Sequence, residues 1–318
     1  MNLFSNILLK IFPLYFNIGL GFFAGRYLDT PRDPIARLMF FIINPLIIFN
    51  GIMHTNMQPN MLAIPFITMG ISVFLCLFFY KISQNFWTDS TRNLLAFGAG
   101  SGNMGYFGLP LALLLFSDQG EGVYMMGLVG VSLYESSLGF YICAHGAHSP
   151  RECLNKLLRL PILYGFLGGL LCQFLHIKLP EIFTEFMCHI KGAYVVLGMM
   201  IIGMGLSSLH RFRIDLRFII LSSLAKFVAW PIIVITLTLM DSWWFHIYPP
   251  EVHQALILLS IVPMAVNTVI FASVLKAQPE KAASAVLIST LIALLYVPFM
   301  ILYFVKPWPI FPVCPKLW

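Results

Sequence analysis

The sequence predicts an all-α integral membrane protein with about ten transmembrane helices. Hydrophobic residues make up 59% of the 318 residues and charged residues only 10%, whereas about 25% of a typical soluble domain is charged. Apolar runs of roughly 20 residues, the length that a helix needs to cross a hydrocarbon core, recur along the whole chain. The formal charge of +6 does not indicate a nucleic-acid partner, because the basic residues are scattered through short connections.

The apolar runs give the order of the predicted helices. The first run lacks a basic leading region and a small-residue cleavage motif, so we interpret it as a retained helix and not as a signal peptide. Proline, glycine and charged residues separate the later runs. The ten predicted spans are 4–28, 35–54, 60–82, 92–116, 121–144, 157–175, 183–208, 217–240, 252–275 and 281–305.

The distribution of Lys and Arg predicts the orientation. Thirteen of the 19 basic residues lie in or beside the odd-numbered connections, whereas the second, fourth and eighth connections contain none. By the positive-inside rule the odd connections face the cytoplasm. We therefore expect a multi-pass protein of a bacterial-type inner (plasma) membrane, surrounded by lipid, with both termini external.

The two halves of the chain show a weak internal symmetry. Pro13 and Gly21 are eight residues apart in the first predicted helix, and Pro161 and Gly169 have the same spacing in the sixth. Five helices per half would orient two repeats oppositely, as in secondary transporters whose solute site lies near the midplane. Chance explains the spacing about as well, since both residues are common in transmembrane helices. The predicted division is a first repeat at 1–145, a second at 154–307 and a short external tail at 308–318.

The fourth span contains the densest local signal, the run Gly102–Pro110 with the sequence GNMGYFGLP. Each glycine costs about 1 kcal/mol against alanine in a helix, and Pro110 removes a backbone donor. We predict two half-helices joined by unwound backbone around Gly102 to Gly108, which must line a cavity or be buried in protein. The second half-helix would direct free N–H groups near Asn103 and Gly105 towards an anion such as a carboxylate. The alternative is a tight helix crossing through small residues.

The ninth span carries a comparable signal in Pro263, Asn267 and Thr268. A proline frees a backbone carbonyl, and the amide and hydroxyl that follow are able to coordinate a solute or a cation. The alternative is a simple kink, with Asn267 bonded to a neighbouring helix. Interrupted helices at matching positions of two halves are the best sequence indication of a transporter site. Asn44 and Pro45 in the second span indicate either a third irregular helix at this site or an ordinary kink.

Two ionisable residues lie deep in predicted spans, Glu135 in the fifth and Lys226 in the eighth. A charge at the centre of a membrane helix costs about 2.5–3.5 kcal/mol, so both side chains should face the bundle interior. Glu135 is a candidate for taking up a proton or a cation; the alternative is a structural carboxyl, neutral or paired with Lys226. The chain shows no metal-binding or nucleophile motif, so we expect neither an enzyme nor a bound cofactor or metal.

These motifs resemble those of the auxin efflux carrier family. The run at 102–110 is similar to that family's fourth-helix signature, Pro263 with Asn267 to its second signature, and Asn44–Pro45 to its second-helix proline motif. The resemblance implies two inverted five-helix repeats with discontinuous fourth and ninth helices that cross. The substrate-binding residues it implies are Asn103, Gly105, Gly108 and Pro110 in one half of the crossover, and Pro263 with Asn267 in the other.

The resemblance also implies a function. Bacterial members of that family are similar to malate and malonate permeases and plant members export auxin, so the expected solute is a small organic anion moved by alternating access. The short fifth connection looks like the bacterial type. The coupling ion stays open between protons and Na⁺, and a homodimer is compatible with the sequence. The alternatives are a sodium-coupled carrier like the bile-acid symporters and a membrane sensor of the same fold that moves no solute.

Overall fold

The computed structural model describes residues 3–56, 58–144, 158–177, 179–207, 214–275 and 277–305. All regular secondary structure in these ranges is helical. Six of the described helices are long and apolar enough to cross a membrane. The structure thus confirms the all-α membrane class, while the count of ten spans and the two inverted repeats stay predictions. The tail predicted at 308–318 lies outside the described residues.

The helices follow the predicted spans closely. We number them in chain order: α1 Leu3–Tyr27, α2 Arg32–His54, α3 Pro59–Ser83, α4 Thr91–Gly100, α5 104–115, α6 Asp118–Cys143, α7 Pro161–Phe174, α8 Glu181–Ser207, α9 Leu216–Phe245, α10 Pro250–Ser260, α11 Asn267–Val274 and α12 Pro279–Phe304.

The fourth and ninth predicted spans are both interrupted. Residues 101–103 separate α4 from α5, and residues 261–266 separate α10 from α11. The first interruption is shorter than the predicted stretch from Gly102 to Gly108, because a wide π-turn begins at Met104 and leads directly into α-helix. Pro110 is in the first turn of that α-helical segment, where a backbone donor is not needed, so it favours the helix instead of breaking it.

Helix α6 lies at the centre of the bundle. Of its most apolar window 61% is buried inside the protein, against 44% to 50% in the other five candidate spans. It packs against α2, α3 and α10, while α1 packs mainly on α8 and α7 on α2. This arrangement brings the side chains of α6 to both interrupted helices.

Asp215 ties together three helices at one end of the bundle. It caps α9 by accepting a hydrogen bond from the Phe218 N–H at 3.1 Å, and its other oxygen accepts one from Trp87 Nε1 at 3.2 Å. Lys281 Nζ of α12 lies 3.0 Å from the same carboxylate and donates to Thr91 Oγ1 of α4 at 3.1 Å. Burial alone would raise the pKa of Asp215, but the hydrogen bonds from Lys281 and Phe218 outweigh it and lower the pKa.

We expect Asp215→Asn to destabilise the protein by roughly 1–2 kcal/mol at neutral pH, because it removes the charge that these donors share. A carboxylate with a lowered pKa stabilises the fold above its unfolded-state pKa, and this contribution is lost as the pH falls through the folded-state pKa. The difference between variant and wild type should therefore shrink below about pH 4. Thermal unfolding in detergent at both pH values measures it, with the exposed Glu185→Gln as control. Equal melting at neutral pH would contradict this role for Asp215.

Candidate solute site

The two interruptions are in direct contact. The backbone N–H of Asn103 donates a hydrogen bond of 2.9 Å to the carbonyl of Pro263. The carbonyl of Pro263 itself therefore has a hydrogen-bond donor from the other interrupted helix. Non-helical backbone deep in a membrane protein needs such partners, because the surrounding hydrocarbon offers none.

Glu135 of α6 joins the same two interruptions through its side chain. Its carboxylate accepts a hydrogen bond from Ser101 Oγ and another of 2.8 Å from Asn267 Nδ2. The residue is buried, with 8% of its surface exposed. Among the described residues Lys226 Nζ has no hydrogen-bond partner, so Glu135 and Lys226 are not directly paired. Glu135 therefore bonds to both interrupted helices, at Ser101 in the first interruption and at Asn267, the first residue of α11.

Buried aromatic side chains satisfy carbonyls where α4 ends. The last carbonyls of a helix lack intrahelical donors. Trp230 Nε1 of α9 donates to the carbonyl of Ala99 at 2.8 Å, and the Tyr134 hydroxyl of α6 donates to that of Phe97 at 3.0 Å. Neither aromatic residue was among the predicted site residues. The sequence signal that could have identified them is a Trp or Tyr inside an apolar span. Such a residue needs a hydrogen-bond acceptor for its N–H or O–H when it is buried, as both are here.

Two further tyrosines hold the first turn of α5. The hydroxyl of Tyr124 donates to the carbonyl of Met104 at 2.9 Å, and that of Tyr194 donates to the carbonyl of Gly105 at 3.2 Å. Both tyrosines are fully buried. These two hydrogen bonds fix the carbonyls of the first two residues of α5. They therefore help to hold the N-terminal end of that helix next to the first interruption.

We expect Tyr124→Phe to destabilise the protein by about 0.5–1.5 kcal/mol, because it removes one of the two hydrogen bonds to the carbonyl of Met104, which keeps the one from the Leu109 N–H, while preserving the shape of the ring. Thermal unfolding of the purified variant measures this loss. Tyr303→Phe is the matched control, since Tyr303 is 65% exposed. If both variants melt like the wild type, Tyr124 does not hold the turn.

A cavity of about 650 Å³ lies against the two interruptions. Its volume falls in the range typical of small-molecule sites, roughly 300–1,000 Å³. The basic residues Arg32 and Arg37 line it, and Asp33 between them is largely exposed. The apolar part of the wall includes Phe40, Phe41, Leu128, Val131, Phe140, Ile270 and Phe271.

The structure brings about half of the predicted site residues to this wall. Those lining the cavity are Asn44, Asn103, Gly105, Glu135 and Asn267. Those absent from the lining are Pro45, Gly108, Pro110, Pro263 and Thr268. Gly108 packs on Tyr124 and Val262, and Thr268 is fully buried beside Gly98. For all ten residues a role in binding stays a prediction.

Two amides on the wall have unused hydrogen-bonding atoms. Asn103 Nδ2 and Asn44 Oδ1 are buried and have no hydrogen-bond partner among the described residues. A buried polar atom without a partner costs about 1–3 kcal/mol, so native proteins keep few of them. Both residues line the cavity, which makes a solute the candidate partner for these atoms, and the Asn103 amide is a donor that suits a carboxylate.

Comparison with known proteins agrees with this architecture. Residues 148–301 match the model of a family described as membrane transport protein. An uncharacterized transporter of Methanocaldococcus jannaschii is 23% identical over 291 residues, which cover 87% of this chain and 92% of that protein. The matched residues include α10, α11 and the interruption between them. The match over residues 148–301 confirms the resemblance of the motifs to the auxin efflux carrier-like membrane transport family.

Proposed function

We propose that this protein is a secondary transporter that carries a small organic anion across a bacterial-type inner membrane by alternating access. The observation that supports this most strongly is the contact between two interrupted helices at a cavity, through Asn103 and Pro263 and through Glu135. Interrupted helices that meet beside a cavity provide polar backbone and side-chain groups to a solute inside the membrane.

The chemistry of the cavity wall favours an anion. Asn103, which directly precedes α5, and Met104 and Gly105, which begin it, all line the cavity, so the positive end of that helix is directed at it. Arg32 and Arg37 add positive charge to the wall, although Arg32 lies 3.5 Å from the Asp33 carboxylate, which lines the cavity as well. The carboxylate of Glu135 already accepts from Ser101 and Asn267, so the donor left for an anionic solute is the Asn103 amide.

The cavity reaches towards one face of the bundle. Its lining includes Arg32 at the start of α2, Leu160 just before α7 and Ser273 near the end of α11, all beside odd-numbered connections. At the opposite ends of α6 and α8, Glu121 and Lys191 form a buried ion pair of 2.6 Å. We infer a state open to the face of the odd connections, the cytoplasmic face by the positive-inside rule, and closed at the other face.

The helix pairing supports the inverted repeats at 1–145 and 154–307. Spans one and seven pack together, as do spans six and two, and exchanging the halves converts one pair into the other. A Cβ atom on Gly21 would clash with the Met200 backbone, and one on Gly169 would lie 2.9 Å from the Phe49 carbonyl oxygen. Gly21 thus permits the close approach of α1 to α8, and Gly169 that of α7 to α2. These are the two glycines that have the same spacing from a proline in the two halves.

Glu135 is the proposed coupling group for a proton or Na⁺. Its bonds to Ser101 and Asn267 connect the two interrupted helices. In alternating access these helices must move when the solute site opens to the other face of the membrane. A change in its charge would therefore alter how firmly the interruptions are held together. Uptake driven by an imposed proton gradient, compared with a sodium gradient, would identify the ion.

Ligand stabilisation tests the solute class. Purified protein is heated with malate, malonate or indole-3-acetate, and a bound ligand at 100 times its Kd should stabilise the fold by about 2.7 kcal/mol. Uptake of the stabilising compound into proteoliposomes then separates a carrier from a sensor. Stabilisation with no uptake would favour the sensor, and no stabilisation by any carboxylate would contradict the organic-anion proposal.

A further inference from the structure

Lys226 lies behind the first interruption as a fully buried cation. It belongs to a π-turn, Ala225–Ala229, inside α9 and has no exposed surface. Its Nζ makes no hydrogen bond with any described residue. The contact that it does make is a cation–π interaction, with Nζ 4.7 Å from the centroid of the Trp230 ring.

Burying a lysine in this way destabilises the folded protein. The effective penalty for burying an ion is several kcal/mol, and a desolvated cation–π contact returns only about 2 kcal/mol of it. Glu135 is close enough to interact with the ammonium electrostatically, but both of its oxygens already accept hydrogen bonds from Ser101 and Asn267. All three N–H donors of Lys226 are therefore unused, although a methionine would fill the same space at lower cost.

Gly102 is the residue that separates Lys226 from the cavity. It lines the cavity wall, and a Cβ atom placed on it would lie 2.8 Å from Lys226 Nζ. Because glycine has no side chain, only the thickness of the backbone stands between the ammonium and the cavity. The next residue, Asn103, carries the unpaired Nδ2 on the same wall. An ammonium and an amide donor thus flank the same point of the interruption.

We propose that Lys226 is a specificity-determining residue: the carboxylate of the solute binds on the cavity side of Gly102, accepts a hydrogen bond from the Asn103 amide, and is attracted by the positive charge of the Lys226 ammonium behind the Gly102 backbone. This inference rests on the proposed function and names the group that selects an anion. The buried charge explains why α9 keeps a lysine in its apolar interior. Gly102 explains how the ammonium comes so close to the cavity wall, since a Cβ atom at this position would lie 2.8 Å from Lys226 Nζ and would displace it.

The test is the affinity of the purified protein for malonate and indole-3-acetate, measured by thermal shift in detergent. We expect Lys226→Met to lose at least about tenfold in affinity while melting at the same or a higher temperature than the wild type without ligand, because an unpaired buried charge is removed. Lys81→Met is the matched control, since Lys81 is exposed near the end of α3. Wild-type affinity in Lys226→Met would overturn the proposal and leave the transporter function standing. Absence of binding by the wild type would overturn both.

A second pair of variants separates solute binding from simple charge balance with Glu135. If Lys226 only balances Glu135, adding Lys226→Met to Glu135→Gln should cost no further affinity, which would overturn the proposal. If Lys226 binds the solute, the tenfold loss persists in the Glu135→Gln background. Should Lys226→Met fail to fold, Gly102→Ala gives a second test, because its Cβ atom would lie 2.8 Å from Lys226 Nζ and would push the ammonium away from the wall: weakened binding supports the proposal, and wild-type binding overturns it.

Discussion

Glu135→Ala is expected to abolish solute transport and to lower the stability of the purified protein by roughly 2–5 kcal/mol. The alanine leaves the hydroxyl of Ser101 and the amide of Asn267 without their common acceptor, and each buried donor without an acceptor costs about 1–3 kcal/mol. It also removes the side-chain link between the two interruptions, so the solute site loses its geometry together with part of its stability.

Melting temperature and proteoliposome uptake measure the two effects separately. Glu185→Ala is the control, because Glu185 is exposed on α8. Glu135→Gln keeps two polar atoms at the same place and removes the charge, so it should retain more stability than the alanine variant. If Glu135→Ala melted and transported like the wild type, the carboxylate would not hold the interruptions together.

Asn103→Ala is expected to reduce transport by about 10- to 150-fold with little change in stability. These factors correspond to the loss of one hydrogen bond to a charged ligand, about 1.5–3 kcal/mol. Stability is preserved because the bond from Asn103 to Pro263 uses the backbone N–H, which alanine retains, whereas the side-chain Nδ2 has no partner to lose.

Initial uptake rates, normalised to the amount of protein in the membrane, measure this effect. Asn85→Ala is the control, because Asn85 is exposed in the turn after α3. Unchanged transport at equal abundance would remove Asn103 from the solute site. Reduced transport with an equally large fall in melting temperature would instead assign Asn103 a structural role.

The features that the sequence predicts well are those with a local cause. Helix boundaries follow from apolar length, and the interruptions at Gly102 and Pro263 follow from the backbone chemistry of glycine and proline. Asn103 and Asn267 were identified because an amide inside an apolar span needs hydrogen-bond partners that its neighbours in the span do not provide. Each of these arguments uses only a few neighbouring residues.

The features that could not be predicted depend on which helices become neighbours. Glu135 was identified as ionisable, but its bonds to Ser101 and Asn267 require that α6 pass between two distant segments. The same holds for Trp230, which is 131 residues from the carbonyl that it satisfies. The side of α5 that faces the cavity depends on the π-turn at its start, so sequence alone did not show that Gly105 lines the wall while Pro110 does not.

The central proposal is that a carboxylate binding where the two interruptions meet is carried from one face of the membrane to the other. Counterflow tests it most directly. Proteoliposomes are loaded with an unlabelled carboxylate that stabilises the protein and diluted into a trace of the same compound carrying a radiolabel. The proposal predicts transient accumulation of label above its equilibrium level, which Asn103→Ala abolishes. Label that never exceeds equilibrium, in vesicles shown to contain folded protein that binds the compound, would contradict it.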